Sequence, residues 1–185
     1  MKSRKTPRAQ RYDYTSPWWY FITICTKDRE HYFGEIVDGQ MKLNKLWQFA
    51  STHRWQISDH YPMVNCHEFI CMPNHIHGII IIRDIGTQTL ASETIDLSRT
   101  YKNTSLQSIN TSPQSKQSFI PSSWSLGAII RGYKIGITKY ANHNNITFAR
   151  QWRYHDHIIR NEDEYNRIKY YIQTNPQNRD NDSLQ

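Results

Sequence analysis

Several residue types are scarce in the 185-residue chain, and each scarcity excludes something. Three cysteines, Cys25, Cys66 and Cys71, show no CxxC spacing, and an odd number argues against a disulfide framework. Seven glycines and seven prolines exclude a fibrous or linker-dominated protein. Long apolar runs are missing, and Ile79 to Ile82 falls far short of the roughly 20 residues that a membrane span requires. Lys2, Arg4, Lys5, Arg8 and Arg11 have no apolar stretch behind them, so the start does not read as a secretory signal. Together these absences lead us to expect a cytoplasmic protein in a reducing compartment, with no membrane partner.

Acidic residues are missing from positions 1–12, which carry a net charge of +5, and a second segment, 124–160, also sums to +5. Two separate basic segments in a chain of net charge +7 point to a polyanion such as nucleic acid, or simply to a solvated basic surface. The length suits one domain with one core. Of the 33 residues from Gly86 to Ser118, 19 are Ser, Thr, Asn or Gln, a composition too polar to pack. We therefore expect a single domain over 1–185, with a basic arm 1–12, a polar insertion at about 86–118 and a polar tail 177–185.

Residues 18–26 are aromatic and β-branched, which predicts a buried strand. Asp38-Gly39 predicts a small hairpin within 34–41. Leu46, Trp47, Ala50 and Trp55 have helical spacing, predicting a helix from Asn44 to near Pro62. Strands are expected at 64–72 and 75–82, separated by a Pro73-Asn74 turn, the second apolar on both faces and hence central. Ser125 is a candidate N-cap for a helix with apolar residues at Leu126, Ile129, Ile130, Tyr133 and Ile137. A strand over 148–160 and a helix over 162–175, stopped by Pro176, complete an α+β pattern on an antiparallel sheet.

Two clusters carry chemistry. His75 and His77, at i and i+2 of a strand, project from one face and could share a divalent cation. The spacing alone is unspecific, and His155-Asp156-His157 repeats it as a competing pair. In the last helix, Tyr171 and Asn175, at i and i+4, share a face at the edge of the apolar stripe of Tyr165, Ile168 and Ile172. By itself Tyr171 reads as an amphipathic packing residue.

In combination the motifs say more. Met72-Pro73-Asn74-His75-Ile76-His77-Gly78 resembles the HUH motif (His, bulky hydrophobe, His) of single-tyrosine transposases of the insertion-sequence-200-like type, in their REP-associated branch. The resemblance recurs in order at Tyr20–Thr26, at Ser125–Gly127 running into Ile130–Lys134, at Tyr154–Arg160 and at Tyr171–Pro176. It spans nearly the whole chain from about Tyr12 to Pro176, the polar insertion excepted.

The resemblance implies an antiparallel sheet flanked by helices, in RRM or ferredoxin-like outline, with the HUH motif on a central strand and the nucleophile on the C-terminal helix. It implies Tyr171 as nucleophile, and His75, His77 and Asn175 as ligands of Mg²⁺ or Mn²⁺. His155 and His157 are not ligands in that pattern. The implied activity is metal-dependent cleavage and strand transfer of hairpin-flanked single-stranded DNA through a covalent 5′-phosphotyrosine. Arg131, Lys134, Lys139, Arg150, Trp152 and Arg153 are then candidate DNA contacts, combining charge with an aromatic platform. A homodimer is expected, with a monomer as the alternative. Two rival functions remain at this stage: a non-cleaving DNA-binding protein, and a metal-dependent hydrolase without a covalent intermediate.

Overall fold

The computed structural model describes residues 17–37, 40–83 and 125–175. The arm 1–12, the Asp38-Gly39 turn, the insertion 86–118 and the tail 177–185 lie outside those residues. The aromatic and β-branched segment forms β1, Trp18–Cys25. The hairpin expectation is met by β2, Gly34–Val37, paired antiparallel with β3, Gln40–Leu43. Helices α1, Lys45–His53, and α2, Trp55–His60, follow. Strands β4, Val64–Cys71, and β5, His75–Ile82, precede α3, Leu126–His143. The edge strand β6, His155–Ile158, and the helix α4, Glu162–Thr174, close the described chain.

Strands run in the order β4-β5-β1-β6, every pair antiparallel. With the hairpin set aside, this is the β-α-β-β-α-β arrangement of a ferredoxin-like sheet. Helices α1 to α3 cover one face, where Tyr20, Ile22, Ile76, Ile80, Ile129 and Ile137 share a core. Helix α4 covers the other, on Trp19, Ile79, Ile81, Ile159, Tyr165 and Ile172. Strand β5 lies between β4 and β1 and is buried along its whole length. Each buried isoleucine contributes about 1.5–3 kcal/mol, so the strand bearing His75 and His77 is a rigid support. At Gly78, after the two histidines, a Cβ would stand 3.0 Å from the Phe69 ring, so that ring would have to give way to any side chain.

Two elements differ from the sequence expectation. The helix expected from Asn44 to Pro62 is interrupted at Arg54. Thr52 Oγ1 donates back to the carbonyls of Gln48 and Phe49 at 2.9 and 3.1 Å, the kind of back-bonding that bends a helix. The strand expected over 148–160 is confined to β6, with one isolated bridge between Arg150 and Thr26. The carbonyls of Gln151, Trp152 and Arg153 turn instead to the ammonium of Lys134 on α3.

Candidate active site

The site begins on β5. His75 and His77 point to the α4 face with ring centroids 4.5 Å apart, and both are buried. Each ring is held through Nδ1. Asn74 Oδ1 lies 2.6 Å from His75 Nδ1, and Thr23 Oγ1, opposite His77 in the β1–β5 register, lies 2.9 Å from His77 Nδ1. An amide oxygen only accepts, so His75 carries its proton on Nδ1 and presents the lone pair of Nε2. Thr23 Oγ1 can donate or accept, so at His77 the hydroxyl holds the ring in place without choosing its tautomer. Phe21 stacks on the His77 ring at 5.2 Å and fixes its plane.

Helix α4 brings the second cluster to the first. Tyr171 OH is 3.2 Å from His77 Nε2, and its ring meets those of His77 and Phe21 edge-on at 5.3 and 6.2 Å. Tyr170, about 100° further round the helix, is 68% exposed, whereas Tyr171 is 38% exposed. Asn175 caps α4 one turn after Tyr171 and is buried.

The helix is fastened at both ends of its docking face. At its start, Asn161 Oδ1 accepts from Glu164 N at 2.8 Å, and Glu164 accepts from Arg160 N and faces His157 Nε2, both at 2.7 Å. Partial burial pushes the Glu164 carboxyl up, but the Arg160 amide, His157 and Arg167 outweigh it and hold the group below its usual value. Along β4, a bulge between Cys66 and Phe69 lets two consecutive residues reach α4. Tyr165 OH lies 2.6 Å from His67 Nδ1, and Gln173 donates to Glu68 at 3.2 Å. Burial, with Glu68 adding to it, pushes the Tyr165 hydroxyl up to about 12, so it remains a neutral phenol.

His75 and His77 could offer a cation their Nε2 atoms, and Asn175, buried at the end of α4, could offer an amide oxygen. Among the described residues, no group of three His, Cys, Asp or Glu could hold a metal. Two neutral nitrogens and an amide fit Mn²⁺ in donor type better than Mg²⁺, which prefers oxygen. His77 Nε2 has one ligating lone pair, so it cannot accept from Tyr171 and bind a cation at the same moment.

The competing histidine pair lies on the same sheet face but across β1. His155 is opposite Thr23 and His157 opposite Phe21, which puts two strand spacings, about 10 Å, between His155 and His77. His157 is engaged with Glu164 and thereby ties β6 to α4.

The candidate DNA contacts divide. Arg131, Lys139, Trp152 and Arg153 are exposed, and Arg150 is half-buried with its Nε donating to Thr138 Oγ1 at 3.3 Å. Lys134 departs from the expected solvent-facing cation: it is 3% exposed, its ammonium spent on three backbone carbonyls. Sequence reasoning overlooked Thr23, Asn74 and Phe21. Asn74 had a visible signal, directly preceding His75 in the turn, whereas Thr23 and Phe21 are reached only through the strand register.

No family model matches the chain. The solved structure of a REP-associated tyrosine transposase bound to a REP hairpin shares the fold, with a TM-score of 0.54 at 14% identity, covering 93% of this chain and 74% of that one. In sequence, a Haemophilus influenzae protein described as uncharacterized is 37% identical over 174 residues, covering 94% of this chain and 88% of the relative. The chain belongs to the same family as that Haemophilus protein. No helix among the described residues is long and apolar enough to cross a membrane.

Proposed function

We propose that the chain is a single-tyrosine DNA transposase of the HUH type, which cleaves and rejoins hairpin-flanked single-stranded DNA through Tyr171. The observation that carries this reading is the Tyr171 hydroxyl 3.2 Å from His77 Nε2, at the one face where a tyrosine helix meets the paired histidines. The shared fold with a hairpin-bound transposase supports it.

A cation held by His75, His77 and Asn175 would polarise the scissile phosphate and stabilise the departing 3′-oxygen. The remaining work belongs to the chain. A phenol has an ordinary pKa of about 10 and needs help to attack. Tyr171 lies on the docked face of α4, and Phe21 and His77 fix its ring edge-on, so the hydroxyl approaches from one direction. Attack forms the bond from Tyr171 oxygen to phosphorus and breaks the bond to the 3′-oxygen, which leaves as a hydroxyl. The phosphodiester energy is conserved in the phosphotyrosine, so a second 3′-hydroxyl can reverse the step and join strands. Arg131, Lys139, Arg150 and Arg153 would supply positive charge to a DNA backbone.

The test is denaturing electrophoresis of a 3′-labelled hairpin oligonucleotide after incubation with Mn²⁺ or Mg²⁺. A protein–DNA band is expected from the wild type and from Tyr170→Phe, and none from Tyr171→Phe. A band that persists in Tyr171→Phe and vanishes in Tyr170→Phe overturns the assignment.

A further inference from the structure

The segment between α3 and β6 is organised around an unusual expense. Lys134 is buried, and its Nζ lies 2.8 Å from the carbonyl of Arg153, 3.3 Å from that of Gln151 and 3.5 Å from that of Trp152. Three successive carbonyls converge on one ammonium, and beyond the Gln151 amide this stretch leaves the sheet ladder. The Trp152 side chain between them is 86% exposed. A tryptophan has a large apolar surface that ordinarily finds cover, and here a hydrogen-bonded strap holds it out.

Two further contacts fix where the ring stands. Gln151 N donates to the carbonyl of Cys25 at 3.2 Å, and Cys25 is the register partner of His75. The strap is therefore fastened at the His75 end of the sheet. The Arg150 guanidinium lies 5.9 Å from the Trp152 ring centroid, with its Nε on Thr138.

We propose that Trp152 is a platform on which one unpaired nucleobase stacks, with Arg150 beside it for that nucleotide's phosphate and Lys134 as the positioning residue that holds the strap. This inference rests on the single-stranded DNA reading above and names the part of the substrate that the site grips beside the histidines. Every base has an aromatic face, so the platform contributes affinity without sequence preference. An exposed ring anchored in advance loses little freedom on binding, which is what the buried ammonium provides.

The experiment is fluorescence anisotropy with labelled oligothymidylate, and with the same sugar–phosphate backbone carrying abasic sites, against the wild type and Trp152→Ala. Because the ring is exposed, its removal leaves the fold intact, which circular dichroism verifies. Trp152→Ala should weaken oligothymidylate binding roughly tenfold, while the two proteins bind the abasic strand equally. Equal affinity of both proteins for oligothymidylate overturns the platform and leaves the DNA reading standing. A loss that persists on the abasic strand assigns the ring to backbone or protein packing and also overturns it. A wild type that does not bind oligothymidylate contradicts the single-stranded DNA reading, and this inference with it.

Discussion

Replacing Thr23 with valine tests whether the site is oriented from behind His77. The change keeps the shape of the side chain and the β-branched character that suits β1, so the strand persists. It puts a methyl group where Oγ1 stands 2.9 Å from His77 Nδ1, in a place where Thr23 is 5% and His77 1% exposed. A buried polar group left without its partner costs about 1–3 kcal/mol, and the added methyl recovers about 0.8 kcal/mol. A net loss of about 0.2–2 kcal/mol lowers the melting temperature by up to about 8 °C in a domain of this size. The second effect is chemical: without Oγ1 the Nδ1 side of His77 loses the partner that holds the ring, and Nε2 is no longer aimed from behind towards Tyr171 or a cation. Loss of such an orienting partner typically costs about 10–100-fold in metal affinity or activity. Thermal denaturation and the rate of adduct formation read the two consequences, and Thr23→Ser should restore them. An unchanged rate refutes the orienting role and leaves Thr23 as an ordinary strand residue.

Ligand removal separates the two histidine pairs: His75→Ala and His77→Ala should abolish cleavage, whereas His155→Ala and His157→Ala should only weaken it, measured on one hairpin substrate. The His157→Ala variant should in addition melt earlier, because His157 holds Glu164 at the start of α4. The Glu164 carboxyl sits below its usual value when folded, so its contribution is present above the unfolded carboxylate range and is lost as pH falls through the depressed folded value. Glu164→Gln should therefore flatten the acid limb of a stability-versus-pH curve while losing about 1 kcal/mol near neutrality from the weakened cap. A curve of unchanged acid slope would remove Glu164 from the account of acid stability.

What was legible in the sequence is what local chemistry controls. The isoleucines after His77 fill both faces of β5, so a central strand could be inferred directly from the run Ile79 to Ile82. Ser125 accepts from Ala128 N and Asn161 from Glu164 N, and both caps follow from residue types within one turn. The Tyr171–Asn175 spacing placed the tyrosine on the docked face for the same reason. The errors lie where distant groups decide. The ladder expected over 148–160 loses its carbonyls to Lys134, up to 19 residues earlier in the chain, which no local pattern reveals. The interruption at Arg54 falls two residues after Thr52, whose hydroxyl bonds back to the carbonyls of Gln48 and Phe49. Thr23 faces His77 only because the β1–β5 register aligns residues 54 apart, and the same register puts β1 between the two histidine pairs that look alike in sequence.

The most direct measurement of the central claim is the site of covalent attachment itself. Trypsin cutting after Lys169 and Arg179 releases a peptide that begins Tyr170-Tyr171 and so contains both candidate nucleophiles. After reaction with a hairpin oligonucleotide, nuclease trimming and tandem mass spectrometry, the account predicts a nucleotide mass on Tyr171, with the Tyr170 fragment unmodified. A nucleotide mass on Tyr170, or cleaved DNA with no modified tyrosine in that peptide, contradicts it.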